Sequence, residues 1–127
     1  MTEDYLSLDK LETYKLAKQL GVISWNIYQV FDYEERKLFG FQFIGATDSV
    51  AANIAEGYGR YHYLDKVKFY YNTRGSLLES RHWLKVIIDR KIIQNKKLIG
   101  NYLNYYQKIR LALNGLIKSA MIQKKTS

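Results

Sequence analysis

Residues 49–60 read Ser49-Val50-Ala51-Ala52-Asn53-Ile54-Ala55-Glu56-Gly57-Tyr58-Gly59-Arg60, and this stretch decides the fold. Small residues lead into it at Gly45 and Ala46, and with Ser49, Ala52 and Ala55 they recur mainly at steps of three and four. That spacing places them on one helix face, which admits large side chains from a neighbour. Gly57 and Gly59 close the helix, because glycine takes the left-handed conformation that a helix C-terminus often needs. They are not a dinucleotide fingerprint: no third glycine follows at the required spacing and no strand precedes them. Further on, Arg74-Gly75-Ser76-Leu77-Leu78-Glu79 sets a glycine and a serine inside an otherwise helical pattern. Glycine inside a helix costs roughly 1 kcal/mol relative to alanine, so it marks a close contact. Two such passages predict a tightly packed antiparallel hairpin turning near Tyr61. In that register Asn53 meets Tyr70, Ala52 meets Tyr71, Gly45 meets Leu77, Asp48 lies near Arg74 and Glu56 near Lys66.

Working outward, the apolar periodicity predicts four long helices, at about 7–31, 33–58, 64–89 and 95–121. The first carries Leu16/Ala17, Leu20, Ile23, Ile27 and Val30/Phe31 inward, with Ser7 as its N-cap. Asp32 to Glu35 reads as a cap for the second, its carboxylates favoured by the helix dipole. The third buries Val67, Tyr70/Tyr71, Leu77/Leu78, Leu84 and Ile87/Ile88. The fourth buries Leu98, Tyr102, Tyr105, Ile109, Leu113, Leu116 and Ala120, with a frayed tail from Gln123 to Ser127. Short connections make neighbours antiparallel, so the predicted fold is an all-α, up-down-up-down four-helix bundle in a single domain, 1–127.

Composition agrees. The 127 residues contain no proline, so nothing forbids long helices, and no cysteine, which excludes disulfides, thiolate metal sites and cysteine nucleophiles. No apolar run is long enough for a membrane span, and the acidic start Met1-Thr2-Glu3-Asp4 is unlike a signal peptide. A cytoplasmic protein without membrane contact is the expectation. The net charge of +8 is unevenly placed: residues 1–89 hold 11 Lys and Arg against 12 Asp and Glu, whereas residues 90–127 hold 9 Lys and Arg and no acid. A segment so lopsided points to phosphate-rich or acidic partners.

The Asn53–Arg60 motif and the downstream Arg74-Gly75-Ser76-Leu77-Leu78-Glu79 resemble a family of four-helix-bundle proteins encoded in intervening sequences of bacterial 23S ribosomal RNA genes. The family pattern runs roughly Ser-Ile-Pro-x-Asn-Ile-Ala-Glu-Gly-x-Gly-Arg, then Arg-Gly-Ser-Leu-x-Glu in an aromatic-rich helix, and the match extends from about Tyr14 to Ile93. The accessory variability determinant of diversity-generating retroelements is similar too. Two positions depart from the pattern: Ala51 stands where proline is frequent, and Ile44-Gly45 where an arginine pair is common, which bears on RNA binding by that face. The resemblance implies a ring-like homo-oligomer, a pentamer specifically, with RNA or reverse-transcriptase partners. It also marks Asn53, Glu56, Gly57, Gly59, Gly75 and Glu79 as structural motif residues.

Enzymatic chemistry finds no support in the residues. His62 and His82 are the only histidines, and neither has a metal-ligand partner at i+3 or i+4, so no metal and no cofactor are expected. Arg74 and His82 share a helix face but stand about 12 Å apart along the axis, too far for joint acid–base work. Nucleic-acid binding is better grounded. Lys97, Asn101, Asn104, Lys108 and Lys118 line one face of the fourth helix, with Lys96, Gln107, Arg110 and Asn114 beside them, and such a face engages phosphates without reading sequence. Lys96 and Lys97 open that helix, where positive charge is unfavourable without an anion. Arg60 sits among Tyr58, Tyr61, His62 and Tyr63, where aromatics beside cations suit unpaired bases or protein interfaces. The expected function is a non-enzymatic oligomeric bundle presenting a basic surface to RNA, DNA, an acidic protein or a reverse-transcriptase-type partner. The alternative is a structural interaction module with no nucleic-acid contact, whose lysines simply remain hydrated.

Overall fold

A computed structural model describes the backbone of residues 7–126 and the side chains of residues 7–122. Among the described residues every regular element is helical. α1 spans Glu12–Gln29. α2 covers residues 33–58 in three parts: Tyr33–Glu35, a π-helical Arg36–Gly40, and Phe41–Tyr58. α3 spans Tyr63–Asp89 and α4 spans Lys96–Thr126. Each helix packs on two others, α1 on α2 and α4, and α3 on α2 and α4, so the four enclose one core. Among the described residues no helix is long and apolar enough to cross a membrane.

The termini follow from local chemistry. Asp32 and Glu35 form a reciprocal capping box, Asp32 N donating to Glu35 Oε1 at 2.9 Å and Glu35 N to Asp32 Oδ1 at 2.8 Å. His62 Nδ1 accepts from Leu64 N at 3.2 Å and starts α3, and Asn95 Oδ1 accepts from Lys97 N and Leu98 N, both at 3.1 Å, to start α4. At the end of α3, Lys91 takes φ 58° while Ile92 N bonds Ile87 O at 3.0 Å and Lys91 N bonds Ile88 O at 2.9 Å. A lysine thus occupies the left-handed position that glycine usually fills.

The buried stripe of α1 is Ala17, Leu20, Ile23, Ile27 and Phe31, with Val30 59% exposed. On α3 it is Val67, Tyr70, Leu77, Leu84 and Ile87, while the adjacent Tyr71 and Leu78 face out. Across the core a chain of buried hydroxyls links three helices: Thr47 Oγ1 to Ser80 Oγ at 2.6 Å, and Ser80 Oγ to Tyr102 Oη at 2.6 Å. Burial holds the Tyr102 phenol well above its usual range, and burial with the nearby Tyr58 pushes Tyr70 up to about 12, so both rings stay neutral.

Several expectations are corrected. α1 starts at Glu12 with Leu11 as an uncapped N-cap; Ser7 instead lies in a separate helical turn over residues 7–10. α4 runs on to Thr126 through residues expected to fray, and Ser127 and the acidic residues 1–4 lie outside the described residues. Gly57 and Gly59 are right-handed: Gly57 is helical, and Gly59 caps the helix at φ −78° with its N–H on Ala55 O. Gly57 does mark a close contact, because a Cβ there would sit 2.8 Å from Tyr70 Cε1 and 2.9 Å from Phe69 Cβ. Gly45 and Gly75 do not, since nothing lies within 4 Å of the space a side chain would fill. The hairpin is antiparallel but slides by about one helical turn, Gly57 rather than Asn53 meeting Tyr70 and Thr47 meeting Ser80. With Gly57 against Tyr70, the first turns of α3 extend past the end of α2. Asp48 therefore faces Gly21 of α1, and Arg74 instead reaches Asn114 of α4. Glu56 pairs with Arg60 at 2.6 Å, and Lys66 Nζ donates to Tyr58 O at 2.9 Å.

Candidate nucleic-acid interface

The outer face of α4 is built by periodicity. Tyr102, Tyr106, Ile109, Leu113, Ile117 and Ala120 turn inward, so the residues between them must face solvent. Lys96, Lys97, Lys108, Arg110 and Lys118 are all exposed, as are Asn101, Asn104, Gln107 and Asn114. From Lys97 to Lys118 this face runs about 32 Å along the axis. Among the described residues no carboxylate pairs with any of those five cations. Lys108 Nζ lies 5.1 Å from the Tyr105 ring centroid, and Arg110 Nε donates to Gln107 Oε1 at 3.2 Å. The first turn of α4 holds Lys96 and Lys97 and no acid, against the helix dipole, while Asn95 caps the Lys97 and Leu98 N–H groups.

α3 extends the positive region. Arg74 Nη2 donates to Asn114 Oδ1 at 2.7 Å and its guanidinium lies 5.2 Å from the Tyr71 ring. Arg81 stacks 5.0 Å from the Tyr106 ring of α4. Between the helices runs a groove of about 270 Å³, floored by Leu77, Leu113 and Tyr106 and rimmed by Arg74, Arg110 and Asn114. Sequence reading missed Arg74 and Arg81 as parts of this surface. The signal was available: they stand seven apart, two helical turns, on the side of α3 that turns to α4.

Arg60 stands apart from this array at the α2–α3 turn. Its guanidinium binds Glu56 and lies 4.9 Å from the Phe69 ring, so its charge is already partnered. Of the motif residues, Asn53 Nδ2 donates to Ser49 O at 2.9 Å within α2, Glu56 holds Arg60, and Glu79 and Gly75 face solvent on α3. The motif is thus mostly helix-internal, with Gly57 its one packing residue. Tyr61 is 96% exposed beside His62, which stacks on Tyr63 and serves as the α3 cap. His82 lies edge-on to Trp83, while Arg74 is turned to α4. Among the described residues no group of three or more His, Asp or Glu side chains is placed to hold a metal ion.

The opposite side of the bundle, formed by α1 and α2, has another character. Val22, Trp25, Val30, Leu38 and Phe41 are each at least half exposed there. Trp25 stacks on Tyr28 at 5.0 Å, and Arg36 lies 4.8 Å from the Tyr28 ring where the π turn brings Gly40 under that ring. A cleft of about 450 Å³ opens between the two helices, with Val22, Trp25, Gly21, Ala51, Lys18 and Asp48 on its walls. Burial raises the Asp48 carboxyl above its ordinary range.

The family model for the 23S rRNA-intervening sequence protein matches residues 9–115, so the chain belongs to that family. The fold is shared with a crystal structure from Bacteroides thetaiotaomicron, described as a protein of unknown function from the S23 ribosomal protein family. It aligns with TM-score 0.74 and 20% identity over 84% of this chain and 95% of that one. No curated protein matches the chain.

Proposed function

We propose that this member of the 23S rRNA-intervening sequence family is a non-enzymatic, self-associating bundle that holds nucleic acid by its phosphate backbone on the α3–α4 side. The observation that carries the reading is the run of five exposed cations on α4, from Lys96 to Lys118, with no carboxylate paired to them among the described residues. Exposed cations interleaved with amides bind a phosphate backbone by releasing its counterions, with little regard for sequence. An acidic face, such as that of a polymerase-type partner, is the protein counterpart of the same charge.

Self-association rests on the α1–α2 side. Five half-exposed large apolar residues lie on this side, two of them, Val22 and Trp25, on the cleft walls, and exposed apolar area of this kind marks a protein contact. A closed ring of identical subunits, five in the relatives the motif resembles, would bury this side and leave α3–α4 outward. Fluorescence anisotropy with labelled RNA and DNA over a salt series tests the binding half of the reading. Affinity should fall steeply and linearly in log–log form as salt rises. No binding of any nucleic acid at low salt would overturn it and favour an interaction module alone.

A further inference from the structure

We infer that the groove between α3 and α4 is a single-strand site, taking one unpaired nucleotide between its arginine rim and its apolar floor. This rests on the nucleic-acid reading and sharpens it, because the outer face of α4 by itself has no means to tell a single strand from a duplex. The groove encloses about 270 Å³, the scale of one nucleotide rather than of a duplex edge. Its floor, Leu77, Leu113 and the Tyr106 ring, is apolar, so it meets a base by its face and leaves the hydrogen-bonding edge to the rim and solvent. Leu78 at its lip is 55% exposed, an apolar edge against which an unstacked base can lie.

The rim supplies the other half of the recognition. Arg74 and Arg110 flank the floor, Arg81 follows on α3, and no residue lining the groove is acidic. Guanidinium groups bind phosphate oxygens through paired N–H donors, which a lysine cannot do. Arg74 is already oriented by Asn114 and Arg110 by Gln107, so both forks are held before a ligand arrives. An acidic peptide would match the charge at the groove itself. The continuation of unpaired cations along about 32 Å of α4 favours a polymer with one charge at every step.

The test compares a short labelled single-stranded RNA with a hairpin duplex of the same composition, on the full chain at one fixed salt concentration. The wild type should prefer the single strand. Arg74→Gln with Arg110→Gln should weaken the single strand at least about tenfold and the duplex only as much as the loss of two α4 lysines does. Lys97→Gln with Lys118→Gln should weaken both alike. Leu78→Ala is the second variant, since it removes the apolar lip without placing a charge four residues from Arg74, and it should also reduce the preference. Equal wild-type affinity for the two forms, or equal losses in the groove variants, overturns the single-strand site while leaving the α4 reading in place. Displacement of the strand by poly-glutamate at matched charge assigns the groove to an acidic protein and also overturns it. Failure of the wild type to bind either form at low salt overturns both.

Discussion

The α1–α2 side and the α3–α4 side of this bundle are made from the same helical period, yet they differ in the charge they carry outward. On α1 and α2 the positions flanking the core stripe are filled by Val22, Trp25, Leu38 and Phe41, which leaves apolar area in water. On α3 and α4 the outward positions also leave apolar area in water, at Tyr71, Leu78, Leu103 and Leu111, but add Arg74, Arg81, Arg110 and the lysines of α4. The core demands only that inward positions be apolar; it says nothing of the outward ones. On the proposed function, surface chemistry at helix flanks is where this molecule separates protein contact on one side from polyanion contact on the other.

That contrast can be broken from either side. The largest effect is expected from Lys97→Gln, Lys108→Gln and Lys118→Gln together. Nucleic-acid affinity should fall at least tenfold at about 0.1 M salt, and the log–log salt slope on duplex DNA should flatten by about 2 to 3. Mass by light scattering should stay that of the wild-type assembly; a change in assembly would show that the two sides are not independent. Charging the other side, Val22→Glu with Trp25→Glu, should return the protein to single subunits while per-site affinity changes little. Persistence of the wild-type mass would mean that assembly uses another face.

Smaller effects probe the scaffold that keeps the sides apart. Gly57→Ala puts a methyl against the ring of Tyr70 and the Cβ of Phe69 and should cost about 1 to 3 kcal/mol in denaturant unfolding. An unchanged midpoint would mean that the hairpin relaxes there freely. Lys91→Gly relieves a left-handed lysine and should gain about 1 kcal/mol, with binding unaltered; a loss would assign Lys91 a contact beyond its backbone geometry.

Much of this architecture could be read from the residues. The inward stripes of α1 and α3, the Asp32–Glu35 cap and the outer cations of α4 followed from period and cap chemistry alone. Four things did not. The register of the α2–α3 hairpin slid by a turn because residue count does not say how far a loop runs along the axis. The inward positions of α4 also include Tyr106 and Ile117, which the reading left out beside Tyr105 and Leu116, both partly buried against the core, since a stripe three residues wide leaves its edges ambiguous. The glycines were misread because a helical glycine records permission for close approach, and only Gly57 and Gly40 use that permission against aromatic rings of the same subunit. The groove went unseen because it needs two helices, and Arg74 was weighed only against His82 on its own helix.

Lysine footprinting by acetylation, with and without bound single-stranded RNA, tests the division of labour between the two sides most directly. Lys96, Lys97, Lys108 and Lys118 on α4 should become protected when RNA is bound, while Lys15 and Lys18 on α1 react as before. Equal protection of both sets, or protection of Lys15 and Lys18 with α4 still reactive, would contradict it.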